Sequence, residues 1–185
     1  APPAATATDA YGLAMSTVDS LVRAGNEQIA IDRLTQLLGN PSLTDAQGAD
    51  ALLRRAKLRL GDGSNVEGAI ADLDEIAARY PGSSQAEEAN SLHASATMEF
   101  DFLAEQLLTG SLAPTEEFEL MFRLGRHQDA ADLMLSRNLK PANAYLVDMY
   151  QIGYLCDDPE LTGPEYDLVL PVGGARTVRF CEFGK

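Results

Sequence analysis

The sequence has no tryptophan, only two histidines and two cysteines, and half as many basic side chains as acidic ones. Each shortage excludes something. With 28 Asp and Glu against 14 Lys and Arg, the net charge of −14 repels phosphate backbones and argues against a nucleic-acid partner. No apolar run approaches the ~20 residues that a membrane-spanning helix needs, so a span is excluded. His93 lies in an Ala/Leu-rich helical stretch and His127 in a turn, and both read as packed or surface residues rather than acid–base groups. The chain has no HExxH, no P-loop and no GxSxG. Gly173-Gly174 reads as a turn, and Asp62-Gly63-Ser64-Asn65 lacks the alternating carboxylates and terminal Glu of a calcium loop. Asp157, Asp158 and Glu160 read as an exposed acidic turn. The expectation is a protein that is not an enzyme and takes no cofactor or metal.

Cys156 and Cys181 match no zinc or redox spacing. A bridge between them would close about 25 residues and add roughly 3.5 kcal/mol in the chain-entropy model. Two buried thiols are the alternative. The chain begins without Met, and Ala1 to Thr8 (APPAATAT) is small, proline-rich and uncharged. Such a start resembles what signal-peptide cleavage leaves ahead of a flexible linker, although an artificial chain start would look the same. These features point to an exported, periplasmic protein.

What the chain does have is length for one domain, or one with a small appendage, and an internal repeat. Gly25 is followed by Ala30, Leu34, Leu37 and Pro41. Gly61 precedes Ala69, Leu73, Ile76 and Pro81. Gly125 precedes Ala130, Met134 and Pro141. A glycine suits a tight turn between helices, where positive φ is often required. The alanine admits a close helix neighbour, the apolar residues four and seven positions on keep one face toward a core, and the proline ends the pair.

These units resemble the tetratricopeptide repeat, the stretch Leu52 to Pro81 most closely. Tyr80-Pro81-Gly82-Ser83-Ser84-Gln85-Ala86 is similar to the repeat junctions of TolA-binding envelope proteins and outer-membrane assembly lipoproteins. The resemblance covers roughly residues 11–154. It implies an all-α, antiparallel helix-pair superhelix whose groove binds a protein or peptide partner without chemistry. The sequence departs from the family pattern in its missing first-helix aromatics, in the extra Gly63, Ser64 and Asn65 of the second turn, and in Arg137. His127 stands where the pattern has an aromatic.

The expected organisation is a linker over 1–8, helices over 9–154, and a tail over 155–185 packed on them. Helices are expected near 9–24, 26–38, 44–60, 66–79, 84–109, 115–124, 127–138 and 141–154, with Thr44, Ser83 or Ser84, and Thr115 as N-caps. The stretch 84–109 contains neither Gly nor Pro and carries two apolar stripes. One runs through Ala89, Leu92, Ala96, Phe100, Leu103 and Leu107, the other through Ala94, Met98 and Phe102. Two stripes imply a helix packed on both sides, or a second face for a homodimer or ligand. From Glu165 to Phe183 the alternation of Tyr166, Leu168, Leu170, Val178 and Phe180 predicts a small β-hairpin turning at 171–175.

Two sets of residues are candidates for binding a partner. Arg54, Arg55, Lys57 and Arg59 form the one basic cluster, which could clamp a partner's carboxylate or pair with Asp72, Asp74 and Glu75. Phe118 and Phe122, one turn apart in the aromatic- and Met-rich second half, could line an apolar groove or close the core. The rival to an envelope adaptor is a carrier of a small apolar ligand or lipid in that second half. Between Ser83 and Ser136 ten carboxylates face only Arg123 and Arg126, which reads as a solvated acidic face or a docking surface for a basic partner.

Overall fold

The structure, a computed structural model, describes residues 7–62 and 64–181. Among them are eight helices: α1 (Ala7–Arg23), α2 (Glu27–Leu38), α3 (Asp45–Leu60), α4 (Val66–Arg79), α5 (Ser84–Thr109), α6 (Pro114–Leu124), α7 (His127–Ser136) and α8 (Asn143–Ile152). Three short strands follow: β1 (Leu155–Cys156), β2 (Tyr166–Leu170) and β3 (Gly174–Phe180). Most of the expected linker, residues 1–6, lies outside the described residues, and α1 already includes Ala7 and Thr8.

The repeat pattern explains the helices. Ala30, Ala69 and Ala130 are fully enclosed where each second helix meets its first. Gly25 and Gly125 adopt φ of +72° and +102°, the turn conformation that disfavours a Cβ. In the α3–α4 turn the positive φ falls instead on Ser64, within the three extra residues. Thr44 caps α3 in a reciprocal box with Gln47, each side chain bonding the other's backbone. Ser83 occupies the N-cap position of α5 without a side-chain bond. Thr115 is not a cap: Pro114 starts α6, so Thr115 falls in the first turn and Glu116 accepts from the Ala113 N–H at 3.0 Å.

Sequential helices pack on one another through four cores, the smallest joining α4, α5 and α6 through Val66, Leu103 and Leu124. Val18, Ala30, Leu34 and Ala51 join α1, α2 and α3. Leu52, Ala56, Ala69, Leu73, Ile76, Ala89 and Ala96 join α3, α4 and α5. Another core unites Phe118 and Phe122 with Met134, Met149, Tyr166, Leu168 and Val178, so helices α6–α8 and the strands share one interior. The tail therefore docks on the chain's own helices, as a lone hairpin must dock on something.

The hairpin forms as expected, with Tyr166 opposite Val178 and Leu170 opposite Gly174. Leu155 and Cys156 add a strand that alternation could not reveal, because two residues carry no period, and the antiparallel sheet has the order β1-β3-β2. Cys156 and Cys181 are bonded as a disulfide, with Cα atoms 5.4 Å apart, and the Cys181 N–H donates to Tyr154 O at 3.0 Å. Asn143, the first residue of α8, bonds both backbone groups of Val169, accepting from its N–H at 2.7 Å and donating to its carbonyl at 2.9 Å. Helix α8 is thereby pinned to the outer edge of β2.

Helix α5 spans the predicted range but is not packed on both sides. Ala89, Ala96 and Leu103 are buried, whereas Met98 and Phe102 are 74% and 59% exposed. The second stripe faces outward.

Candidate functional site

The basic cluster on α3 is distributed among its neighbours. Asp72 of α4 is 2% exposed and receives two hydrogen bonds from Arg55, Nε at 3.0 Å and Nη2 at 2.7 Å. Arg59 Nη1 donates to the same carboxylate at 2.8 Å and to Gly68 O at 3.0 Å, and Arg55 reaches Thr35 of α2 at 2.9 Å. Burial lowers the Arg59 pKa, opposed by the adjacent Asp72. Arg54 pairs with Asp19 of α1, and Lys57 with Glu88 of α5 at 2.7 Å. Asp74 and Glu75, also expected as partners, bond His93 and Arg79 instead. All four basic residues are thus engaged by acids of the same chain. Arg55 and Arg59 are largely enclosed, whereas the side chains of Arg54 and Lys57 remain partly exposed beside their partners.

Phe118 and Phe122 are also placed differently from a groove. Both are fully buried. Tyr145 meets each of them edge-on, with centroids 5.5 and 5.4 Å away. His127 lies 4.4 Å from the Phe122 ring and donates from Nε2 to Ser64 O at 2.9 Å. Burial, its largest influence, keeps this imidazole below the ordinary histidine pKa, so it behaves as the packed turn residue that the sequence suggested.

A different feature emerges where the turns meet the C-terminal core. The three glycine-bearing turns are each held from across the chain. Asn26 accepts from Gln151 of α8 at 3.0 Å, and a Cβ on Gly25 would come within 3.2 Å of Pro171. In the α3–α4 turn, Asn65 caps α4 by accepting from the Gly68 N–H at 2.7 Å. A Cβ on Gly125 would fall 2.1 Å from that same Asn65 oxygen, so the α6–α7 turn needs its glycine for space as well as for φ. Two of the extra residues that broke the repeat pattern, Ser64 and Asn65, reach the α6–α7 turn.

Between these turns, α8 and the hairpin opens a cleft of about 900 Å³. Leu60, Tyr145, Val147, Val169 and Pro171 supply apolar wall, and Glu27, Asp62, Asp148 and Arg123 supply charge. Asp148 is half-buried, and no hydrogen bond or ion pair engages its side chain among the described residues. Burial first, and then the charges of Glu27 and Asp62, push its pKa up to about 7. The cleft can therefore offer a cation the carboxylates of Glu27 and Asp62 and a third, Asp148, that ionises near neutrality. Sequence reading missed it because its walls come from five separate segments. Asp148 on the inner face of a helix with Val147 and Met149 was the one local hint.

Among the described residues, no group of three or more His, Cys, Asp or Glu is placed to hold a metal ion, and no helix is long and apolar enough to cross a membrane. No protein-family model, curated protein or solved structure matches the chain.

Proposed function

We infer that this chain is a non-catalytic interaction module, a tetratricopeptide-like stack of helix pairs exported to the bacterial cell envelope. It binds a basic peptide or partner helix in the cleft between its turns and its C-terminal core. The observation that carries this reading is the cleft itself: about 900 Å³, open, apolar-walled and bearing Glu27, Asp62 and Asp148 against a single arginine. Apolar walls with a few polar groups are the usual makeup of a binding site, and the sign of the charge selects a cationic occupant. Neither histidine lines the cleft: His127 is committed to Phe122 and Ser64, and His93 to Asp74. Export is supported by the Cys156–Cys181 disulfide, a bond favoured outside the reducing cytosol. The apolar-carrier reading finds less support, because the aromatic side chains it would use are packed and three carboxylates line the opening.

The test is panning a displayed library of 12-residue peptides against the intact protein. Enriched sequences are expected to carry Lys or Arg among apolar residues. They should bind at least tenfold more weakly to an Asp62→Arg/Val169→Asp variant, which alters two exposed cleft positions. Enrichment of neutral or acidic sequences, or affinity indifferent to the variant, rejects the reading.

A further inference from the structure

A second surface lies on α5, which contributes nothing to the cleft lining. Its buried side rests on α3, α4 and α6 through Ala89, Ala96 and Leu103. On the opposite side Met98 and Phe102 stand one turn apart, 74% and 59% exposed. Toward the N-terminus the same face continues through the exposed Ser91, Ala94 and Ser95. An i, i+4 pair of large apolar side chains beside a run of small ones is a shape into which another helix can lay its own ridge.

The charge around this stripe is of one sign. Helix α5 contains no Lys or Arg and five carboxylates, Glu87, Glu88, Glu99, Asp101 and Glu105. Two of them are engaged from behind: Glu88 by Lys57 at 2.7 Å and Glu99 by Arg123 at 2.5 Å. His93 turns to Asp74 at 2.9 Å. The remaining three, Glu87, Asp101 and Glu105, are exposed and lie within about 60° of the Met98 direction at 100° per residue. Two copies of this face brought together would oppose these carboxylates to one another without a cation. An anionic lipid surface would meet the same repulsion.

We propose that the Met98–Phe102 face of α5 docks a cationic amphipathic helix of a partner protein, with apolar side chains on Met98 and Phe102 and Lys or Arg against Glu87, Asp101 and Glu105. The apolar pair supplies the anchor, and the three carboxylates set orientation and exclude a second copy. This surface stands apart from the cleft, and the two can fail separately.

Three fluorescein-labelled 18-residue peptides test the proposal by anisotropy: a helical peptide with Leu on one face and Lys on the other, a scramble of the same composition, and a Glu-for-Lys twin. The amphipathic basic peptide is expected to bind, with the scramble and the acidic twin at least tenfold weaker. Met98→Ala/Phe102→Ala and Asp101→Lys/Glu105→Lys, all at exposed positions, should each weaken binding at least tenfold. Asp62→Arg in the cleft should leave it unchanged. Light scattering should find the free protein monomeric at micromolar concentration. Equal binding of the scramble, indifference to both α5 variants, loss with Asp62→Arg alone, or a dimer abolished by Phe102→Ser would overturn the proposal.

Discussion

The two halves of the molecule fill their interiors with different side chains. From α1 to α4 the enclosed residues are small or aliphatic, among them Val18, Ala30, Leu34, Ala51, Leu52, Ala56, Ala69, Leu73 and Ile76. From α6 to β3 residues of that kind, such as Ala130, Leu146, Leu155 and Leu168, are joined by Phe118, Phe122, Met134, Met149 and Tyr166, with rings meeting edge to face. Alanine lets helices approach closely but removes little apolar area from water per residue. The first half adds a charged tie, Arg55–Asp72–Arg59, between α3 and α4. The second half gains its area from rings and holds a sheet too small to stand alone, with a disulfide at the base. A core of small residues thus rests on one buried carboxylate, and a core of large ones on a covalent link. The cleft opens along the seam between them.

The comparison breaks first at Asp72. Replacing it with Ala leaves two enclosed guanidinium groups without a counter-charge, a loss expected at about 3–5 kcal/mol. Urea unfolding of Asp72→Ala should show it as a fallen midpoint with an unchanged slope. The triple variant Arg55→Leu/Arg59→Met/Asp72→Leu, which removes charge and partner together, should recover most of that loss. A cost for Asp72→Ala below about 1 kcal/mol, the scale of an exposed pair, would mean that the small-residue core holds without its tie.

The second half should break elsewhere. A Cys156→Ser/Cys181→Ser variant frees a 25-residue segment and is expected to lose roughly 3.5 kcal/mol where that segment is anchored. Hydrogen exchange would localise the effect: faster exchange across β2 and β3, with α1–α4 amides unchanged relative to wild type. Uniform loss of protection over all helices would show one cooperative unit and erase the distinction between the halves.

Much of this layout was legible in the sequence, for identifiable reasons. Glycine, alanine and proline marked turns, close contacts and pair ends because each has a backbone or size property that no neighbour supplies. The bounds of α4 and α5 were predicted to the residue, and the hairpin followed from a two-residue period. The fate of Arg54, Arg55, Lys57 and Arg59 was not legible. At 100° per residue they point to different neighbours, and only Arg55 and Arg59, about 40° apart, can share Asp72. Phe118 and Phe122 were ambiguous because i, i+4 spacing marks an apolar face without saying what covers it. The cleft was hidden because its lining, drawn from the α1–α2 and α3–α4 turns, Arg123, α8 and the end of β2, shares no local pattern.

The smallest effect bears on the seam. In the folded chain Asp148 titrates near 7, raised from about 3.8 chiefly by burial and further by Glu27 and Asp62, while Arg123 is the one cation lining the same cleft. Between those two values the folded state keeps a proton that the unfolded chain has released, so stability falls steadily as pH rises across that interval. Above about 7 both states are ionised, the folded one with its carboxylate half-buried, and the loss is complete. Asn at 148 stays neutral at every pH. Asp148→Asn should therefore match wild-type stability near pH 4 and exceed it by about 1–2 kcal/mol at pH 8, where ionised Asp148 costs most. Subtracting urea-derived stabilities of the two proteins at each pH isolates this residue from the other 27 acids. A difference independent of pH would place the effect in packing rather than charge and leave the seam without a titrating group. A difference that opens between pH 4 and 7 and levels off above would also predict that basic peptides bind the cleft more tightly as pH rises from 6 to 8, where the third carboxylate ionises in the folded chain.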